Sequence, residues 1–382
     1  MSARGAFAGF PNAATHGRRL GIRMPYDQQD LFQNSSSEVP STLSANSTFE
    51  IQVEGKTLHT TPVFEAYWHF AAKRQDIFFR RLEGANDPKL CDDPILTAHR
   101  FTNAYRASDR VSQYLLRHVI WNTQEDWTNE DYFFRTLLFK IFNKIETWEA
   151  LERELGRISW KTFSFASADA LLSARQSDGE ANYSAAYIMP SAGSVFGFKS
   201  KHANHLKLLE WMMEEQFPHQ LSVCRNMREA FELLLSAPSI GPFLAYQFAT
   251  DLNYGPLTCF SEMEFVKAGP GALDGVSKCF ASSEGVSAES IIAHMAEHQS
   301  TYFDKFEIDF PDLWGRPLQL IDCQNLFCEI SKYSRVAFPS IEGRSGRTRI
   351  KQKFAPAGRL PQPFYPPDWG LNDQIANGVL SH

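Results

Sequence analysis

APSIGPFLAYQ, residues 237–247, lies between two runs whose apolar residues recur at helical spacing, REAFELLLS before it and FLAYQFATDL from residue 243 onward. Pro238 and Gly241 punctuate the pattern, so the stretch reads as helix, tight turn, helix. A glycine turn of this kind presents backbone amides at the start of the second helix, and such amides suit a phosphate. Ser239 and Gly241 are therefore candidate phosphate-contacting positions. An ordinary corner between two helices carries the same pattern.

Outward from this corner nearly every segment has helical spacing. Helices are predicted near 63–83, 95–120, 130–143, 146–155, 166–174, 202–216, 225–236, 242–252, 287–299 and 319–334. FEIQVEGKTLHT, residues 49–60, alternates around an EGK turn and reads as a short β-hairpin. The GPGALDG at 269–275 lacks a preceding parallel-strand run, so it reads as a tight turn and not as a dinucleotide-binding loop. Residues 1–48, rich in Ser, Asn, Ala and Gly, are expected to be a disordered tail, and 49–338 a single helical domain. Residues 339–382 are expected to be a basic and then proline-rich tail, extended over the surface or disordered. The fold class that follows is mainly α, with a helix-hairpin-helix corner and a small N-terminal β-hairpin.

Composition narrows the function. The 382 residues carry a formal charge of −6 and 13% aromatic side chains, enough for a large core and against indiscriminate nucleic-acid binding. The segment from Arg344 to Lys353 is the exception, with Arg344, Arg347, Arg349, Lys351 and Lys353 and no acid, so any nucleic-acid contact is local. Six scattered cysteines without a CxxC pair fit reduced thiols and an intracellular setting, which is the nucleus in a eukaryote or the cytoplasm in a bacterium or phage. There is neither a long apolar run nor a secretory h-region, so no membrane is expected. The first 26 residues hold Arg4, Arg18, Arg19 and Arg23 and no acid, as a transit peptide would. HMAEH, residues 294–298, matches an inverted zinc-protease pattern, but the sequence offers no third ligand and no metal is expected. No GxxxxGK[ST] or GxSxG occurs, which disfavours a P-loop kinase and an α/β hydrolase.

Two further stretches carry polar faces. In RFTNAYRASDR, residues 100–110, a continuous helix puts Phe101, Ala104, Tyr105 and Ser108 on a core stripe and Asn103, Arg106, Arg110, Gln113 and Arg117 opposite. Arg106 and Arg110 then stand at i and i+4, where like charges repel, so either a bound anion or Asp109 is expected to relieve them. In IDCQNLFCEISKYSR, residues 321–335, a helix brings Asn325, Glu329 and Lys332 to one face, a pattern that a surface ion pair also produces.

The hairpin SIGPFLAYQ resembles that of base-excision DNA glycosylases, with Ser239 in place of the first glycine and Asp251 following Gly241 too closely for the glycosylase catalytic aspartate. DDPILTAHRFTNAYRASDRVSQYL, SIGPFLAYQFATDLNY, AGPGALDG and QNLFCEISKYSR, in that order, resemble the α-glutamyl/putrescinyl-thymine pyrophosphorylase family. That family is also described as the helical domain associated with 5-hydroxymethyl-deoxyuridine DNA kinases, and some members as amino-acid:DNA transferases. The resemblance runs from about Phe64 to Arg335. It implies a DNA-glycosylase-like helical fold acting in thymine hypermodification, where pyrophosphate on a 5-hydroxymethyl-uracil base is displaced by an amine. The implied partners are DNA, a small amine or amino acid, and a separate hydroxymethyl-uracil DNA kinase; no cofactor is implied.

That chemistry requires a flipped base, an anion site and a proton acceptor. Tyr105, Tyr246, Tyr254 and Tyr333 are candidate stacking platforms, and Asn103, Gln113, Gln247 and Asn325 candidate readers of the uracil edge. Arg100, Arg106 and Arg110 would hold the pyrophosphate through bidentate hydrogen bonds. The base is Asp251 or Asp109, with Glu329 third, and Lys332 orients that carboxylate or contacts phosphate. Arg347, Arg349 and Lys351 would contact the DNA backbone. A glycosylase that excises the base and a non-catalytic reader of modified DNA are the alternatives.

Overall fold

Glu54 and Gly55 both turn through positive φ, 51° and 73°, the two-residue geometry that suits a hairpin. They join β1 (Glu50–Val53) to β2 (Lys56–His59), antiparallel, with Val53 opposite Lys56 and Ile51 opposite Leu58. The computed structural model describes residues 48–84, 90–122, 126–186, 189–283, 285–355 and 360–378. The N-terminal stretch read above as a tail or transit peptide lies outside them up to residue 47.

Helices follow the hairpin almost without interruption: α1 (Pro62–Leu82), α2 (Pro94–Ala98), α3 (Arg110–Tyr114), α4 (Asn129–Phe142), α5 (Ile145–Leu155), α6 (Phe165–Ser177), α7 (Gly193–Phe196) and α8 (Lys201–Glu214). They continue with α9 (Phe217–Ser222), α10 (Met227–Leu235), α11 (Pro242–Asn253), α12 (Pro270–Cys279), α13 (Ala288–Glu297), α14 (Gln299–Lys305), α15 (Leu320–Ala337) and α16 (Asn372–Ala376). Among the described residues the fold is mainly α with a small hairpin, as the spacing predicts. Their starts are chemically specified. Thr61 caps α1 by accepting the Val63 N–H, and Thr128 with Asp131 forms a reciprocal capping box on α4. Among the described residues no helix is long and apolar enough to cross a membrane.

Two groups of helices share the core. In one, α1, α12 and α13 pack on α15; in the other, α8, α9 and α11 pack on α4, and α10 lies against α11. The α12–α15 contact corrects the reading of GPGALDG as a turn. Gly269 is the N-cap and Pro270 opens the helix, while Gly275 meets the Phe327 backbone so closely that a Cβ there would lie 2.0 Å from its carbonyl oxygen. The glycines serve helix packing, which permits no side chain at that crossing. At the predicted corner α10 ends at Leu235 and Gly241 is the N-cap of α11, in extended conformation, so the chain does turn there. Ser239 takes φ +63° within the turn, a left-handed conformation that glycine adopts without strain.

The predicted helix over 95–120 does not exist. The chain forms α2, runs extended through Tyr105, makes a tight 3₁₀ turn at Arg106–Ser108, and enters α3 and a π-helical turn at Leu115–Ile120. Local periodicity is overridden by tertiary partners. Asp109 Oδ1 accepts the Asn103 N–H at 2.8 Å and Asp322 Oδ1 accepts the Arg106 N–H at 2.7 Å, so amides that a helix would use internally are bonded elsewhere.

Candidate nucleic-acid interface

The basic segment is a strap fastened to the helical body. Gly343 lies against Asp274, where a Cβ would come within 2.5 Å of Oδ1, and the Ser345 N–H donates to the same oxygen at 2.6 Å. Further along, Arg335 Nη1 donates to the Arg349 carbonyl at 3.2 Å, the Arg100 N–H to the Gln352 carbonyl at 3.1 Å, and the Phe354 N–H to the Ala98 carbonyl at 3.1 Å. Ile350 points into the core while Arg349 and Lys351 on either side are exposed, the alternation of an extended chain. Arg347, Arg349, Lys351 and Lys353 thereby form an exposed cationic rim, with Arg100 beside it.

Next to the rim is a polar cluster. Glu329 and Lys332 pair at 2.5 Å on α15, Glu329 Oε2 accepts the Thr102 N–H at 3.2 Å, and Asn325 Nδ2 donates to Thr102 Oγ1 at 3.1 Å. Arg74 from α1 supports the same loop, donating to the Thr102 carbonyl at 2.9 Å and to Asn103 Oδ1 at 3.1 Å. Burial pushes the Asp109 carboxyl up to about 7; the Asn103 N–H opposes this, the charge of Glu329 adds to it, and Arg74 and Arg106 oppose it. A carboxylate poised there both accepts and returns a proton at neutral pH. Asn103, Asp109, Asn325, Glu329 and Lys332, singled out separately in the sequence, are thus brought together.

The other expected residues go elsewhere. Arg106 is only 2% exposed, and its guanidinium meets Asp251 at 2.8 Å and Gln247 Oε1 at 3.0 Å, 5.6 Å from the centre of the Tyr254 ring. Asp251, fully buried, also faces Lys140 at 3.3 Å, and burial lowers the Lys140 pKa to about 8 against the pull of Asp251. The expectation that Arg106 and Arg110 grip one anion is therefore corrected. Arg110 is exposed and faces Glu146 at 3.5 Å, and Asp251 and Gln247, not Asp109, hold Arg106. Asp251, one of the carboxylates expected to act as the base, is held in the interior between Arg106 and Lys140. Gln113 does not share a face with Arg106, because it bonds the Ala107 and Phe364 carbonyls at 2.8 and 3.0 Å. Tyr105, Tyr246, Tyr254 and Tyr333 are all buried; the Tyr105 hydroxyl donates to the Arg316 carbonyl at 2.6 Å and that of Tyr333 to Asp93 at 2.8 Å. In HMAEH, His294 bonds the Tyr302 hydroxyl at 2.7 Å and stacks on His298.

The model of the family described as the 5-hmdU DNA kinase helical domain matches residues 61–343, well over half of the chain. The chain belongs to that family. A 5-hmdU DNA kinase of Bacillus phage SP10 is 24% identical to it over 290 residues, covering 71% of this chain and 45% of the phage protein. The chain thus spans about half the length of the curated relative it matches. No solved structure matches.

The 5-hmdU DNA kinase helical domain contains the whole polar cluster, whereas Arg347, Arg349 and Lys351 lie just past its matched end. Also past it, residues 360–378 are an arm packed on the domain. Tyr365 is completely buried and shares a 2.8 Å hydrogen bond with Ser108. The arm forms one side of a pocket of about 230 Å³ lined by Trp121, Tyr254, Glu262, Arg316, Asp368 and Trp369. Glu262 and Arg316, paired at 2.6 Å, were not among the residues singled out from the sequence. They stand 54 positions apart, and no local spacing marks either. Lys140 and Arg74 escaped notice for the same reason, each reading as an ordinary charge on an amphipathic helix.

Proposed function

We propose that the protein is a transferase of thymine hypermodification, acting on DNA that carries a pyrophosphorylated 5-hydroxymethyl-uracil base and replacing the pyrophosphate with an amine. The amine nitrogen forms a bond to the 5-methylene carbon as the carbon–oxygen bond breaks. Pyrophosphate leaves with the bonding electrons, and the surplus proton on nitrogen passes to a carboxylate. Family membership supports a role on 5-hydroxymethyl-deoxyuridine DNA. The observation that carries the finer reading is the cationic rim beside the Asp109–Glu329–Lys332 cluster, where positive charge suited to a polyanion and a proton acceptor near neutral pH lie on neighbouring segments.

In this reading the rim holds the DNA backbone, Arg100 and Lys332 face the leaving group, and Asp109 or Glu329 takes the proton. Asn103 and Asn325 border the place where a flipped base would present its edge. The hairpin at Ser239 and Gly241 offers a second backbone contact. Phosphorylation of the hydroxymethyl group is assigned to a kinase domain or polypeptide, since the sequence contains no GxxxxGK[ST] loop.

The test is direct. Duplex DNA bearing the pyrophosphorylated base is incubated with the protein and a panel of primary amines and amino acids, and the nucleosides are analysed by mass spectrometry. Pyrophosphate release with a new amine-bearing thymine nucleoside is the expected result. Release of a free base would replace the proposal with a glycosylase, and binding without turnover would replace it with a reader.

A further inference from the structure

We propose that the cavity between α11, Arg316 and the C-terminal arm binds a small primary ammonium group, received by Glu262 Oε1. Identifying that ammonium as the incoming co-substrate rests on the transferase reading above; the binding itself does not.

A volume of about 230 Å³ leaves room for a short aliphatic molecule. The Glu262 side chain is 6% exposed, and Oε2 accepts from Arg316 Nη2 at 2.6 Å. Oε1 is buried and has no hydrogen-bond partner among the described residues, and Glu262 lines the cavity. A buried carboxylate oxygen without a donor is costly, and a ligand N–H would satisfy it. Burial raises the Glu262 pKa to about 7 in spite of Arg316, and the charge of Asp322 pushes it the same way. An added cation is what this carboxylate lacks.

An anion is the less suitable occupant. Arg316 Nη2 is bonded to Glu262 and the guanidinium lies 3.7 Å from the centre of the Trp369 ring; Arg316 Nε is buried without a hydrogen-bond partner among the described residues, but Glu262 and Asp368 set two carboxylates in the lining against one guanidinium. Trp121, whose ring N–H donates to the Tyr254 carbonyl at 2.9 Å, and Tyr254 itself supply aromatic walls, which favour an organic cation. Asp368 and Trp369 come from the arm beyond the family match, so the site is completed by a part of this chain that the family model does not cover.

The test compares n-butylammonium, 1-butanol and butyrate, which share a four-carbon chain and differ in charge, on the full-length protein by tryptophan fluorescence and ligand-observed NMR. The ammonium is expected to bind at least tenfold more tightly than either other compound, and Glu262→Gln to abolish that preference. Equal binding of the three, or preference for butyrate, overturns the proposal, and the wild-type series decides it even if the variant does not fold. Ammonium-selective binding without amine transfer to DNA leaves the site standing and removes the transferase reading. Amine transfer with no ammonium selectivity does the reverse.

Discussion

Arg106 and Asp251 form an ion pair of 2.8 Å in the interior, and Lys140 approaches the other carboxylate oxygen at 3.3 Å. One carboxylate between two buried cations belongs to the fold before it belongs to any reaction. Asp251→Ala leaves Arg106 and Lys140 facing each other without it, and removing one partner of a buried pair costs about 3–5 kcal/mol. Chemical denaturation is expected to show a loss of that size. A stable Asp251→Ala protein with selectively lost turnover would return Asp251 to the chemistry.

Arg106 and Arg110, both arginines of one motif, are expected to separate under the same conservative change. Arg106→Lys loses the planar fork that reaches Gln247 and Asp251 together, and lowers Tm. Arg110→Lys alters an exposed side chain and leaves both Tm and turnover on modified DNA at the wild-type level. Equal losses in the two variants would show that Arg110 contacts substrate.

If the cationic strap holds the DNA backbone, DNA affinity depends on salt. Neutralising Arg347, Arg349 and Lys351 together should weaken binding to all sequences alike and flatten the plot of log affinity against log salt by about one for each phosphate no longer neutralised. Fluorescence anisotropy over a range of salt concentrations measures this. An unchanged slope would exclude the strap from the interface.

Asp109 gives a pH signature with a defined sign. Its native pKa of about 7 lies above the ordinary 3.8, so between those values the native state binds more protons than the unfolded state. Its contribution to stability is therefore complete below about pH 4 and is lost as pH rises to about 7. Asp109→Asn lacks this titration, so the Tm difference should shift in favour of the variant across that window and stay flat above it. If Asp109 is the proton acceptor, kcat/KM rises with pH through a midpoint near 7 and Asp109→Asn removes that rise, whereas a rate indifferent to pH there excludes Asp109 from that role.

Much of the fold was legible in the sequence because it is written in local terms. The predicted spans at 63–83, 130–143, 146–155 and 242–252 lie within a residue or so of α1, α4, α5 and α11, since amphipathic spacing and caps act within a few residues of one another. The face shared by Asn325, Glu329 and Lys332 was legible for the same reason, being a property of one helix. The helix predicted over 95–120 failed because the hydrogen bonds of Asn103 and Arg106 go to Asp109 and to Asp322, the latter 216 positions away, and no local pattern encodes a partner at that distance. Only the tertiary structure decided that Arg106 turns inward and Arg110 outward, that GPGALDG packs as a helix, and that Glu262 meets Arg316 beneath Trp369. The sequence by itself determined the helices that local spacing and caps specify and which residue types are available; long-range packing decided the remaining segments and which charges are buried together, because desolvation and pairing depend on neighbours in space.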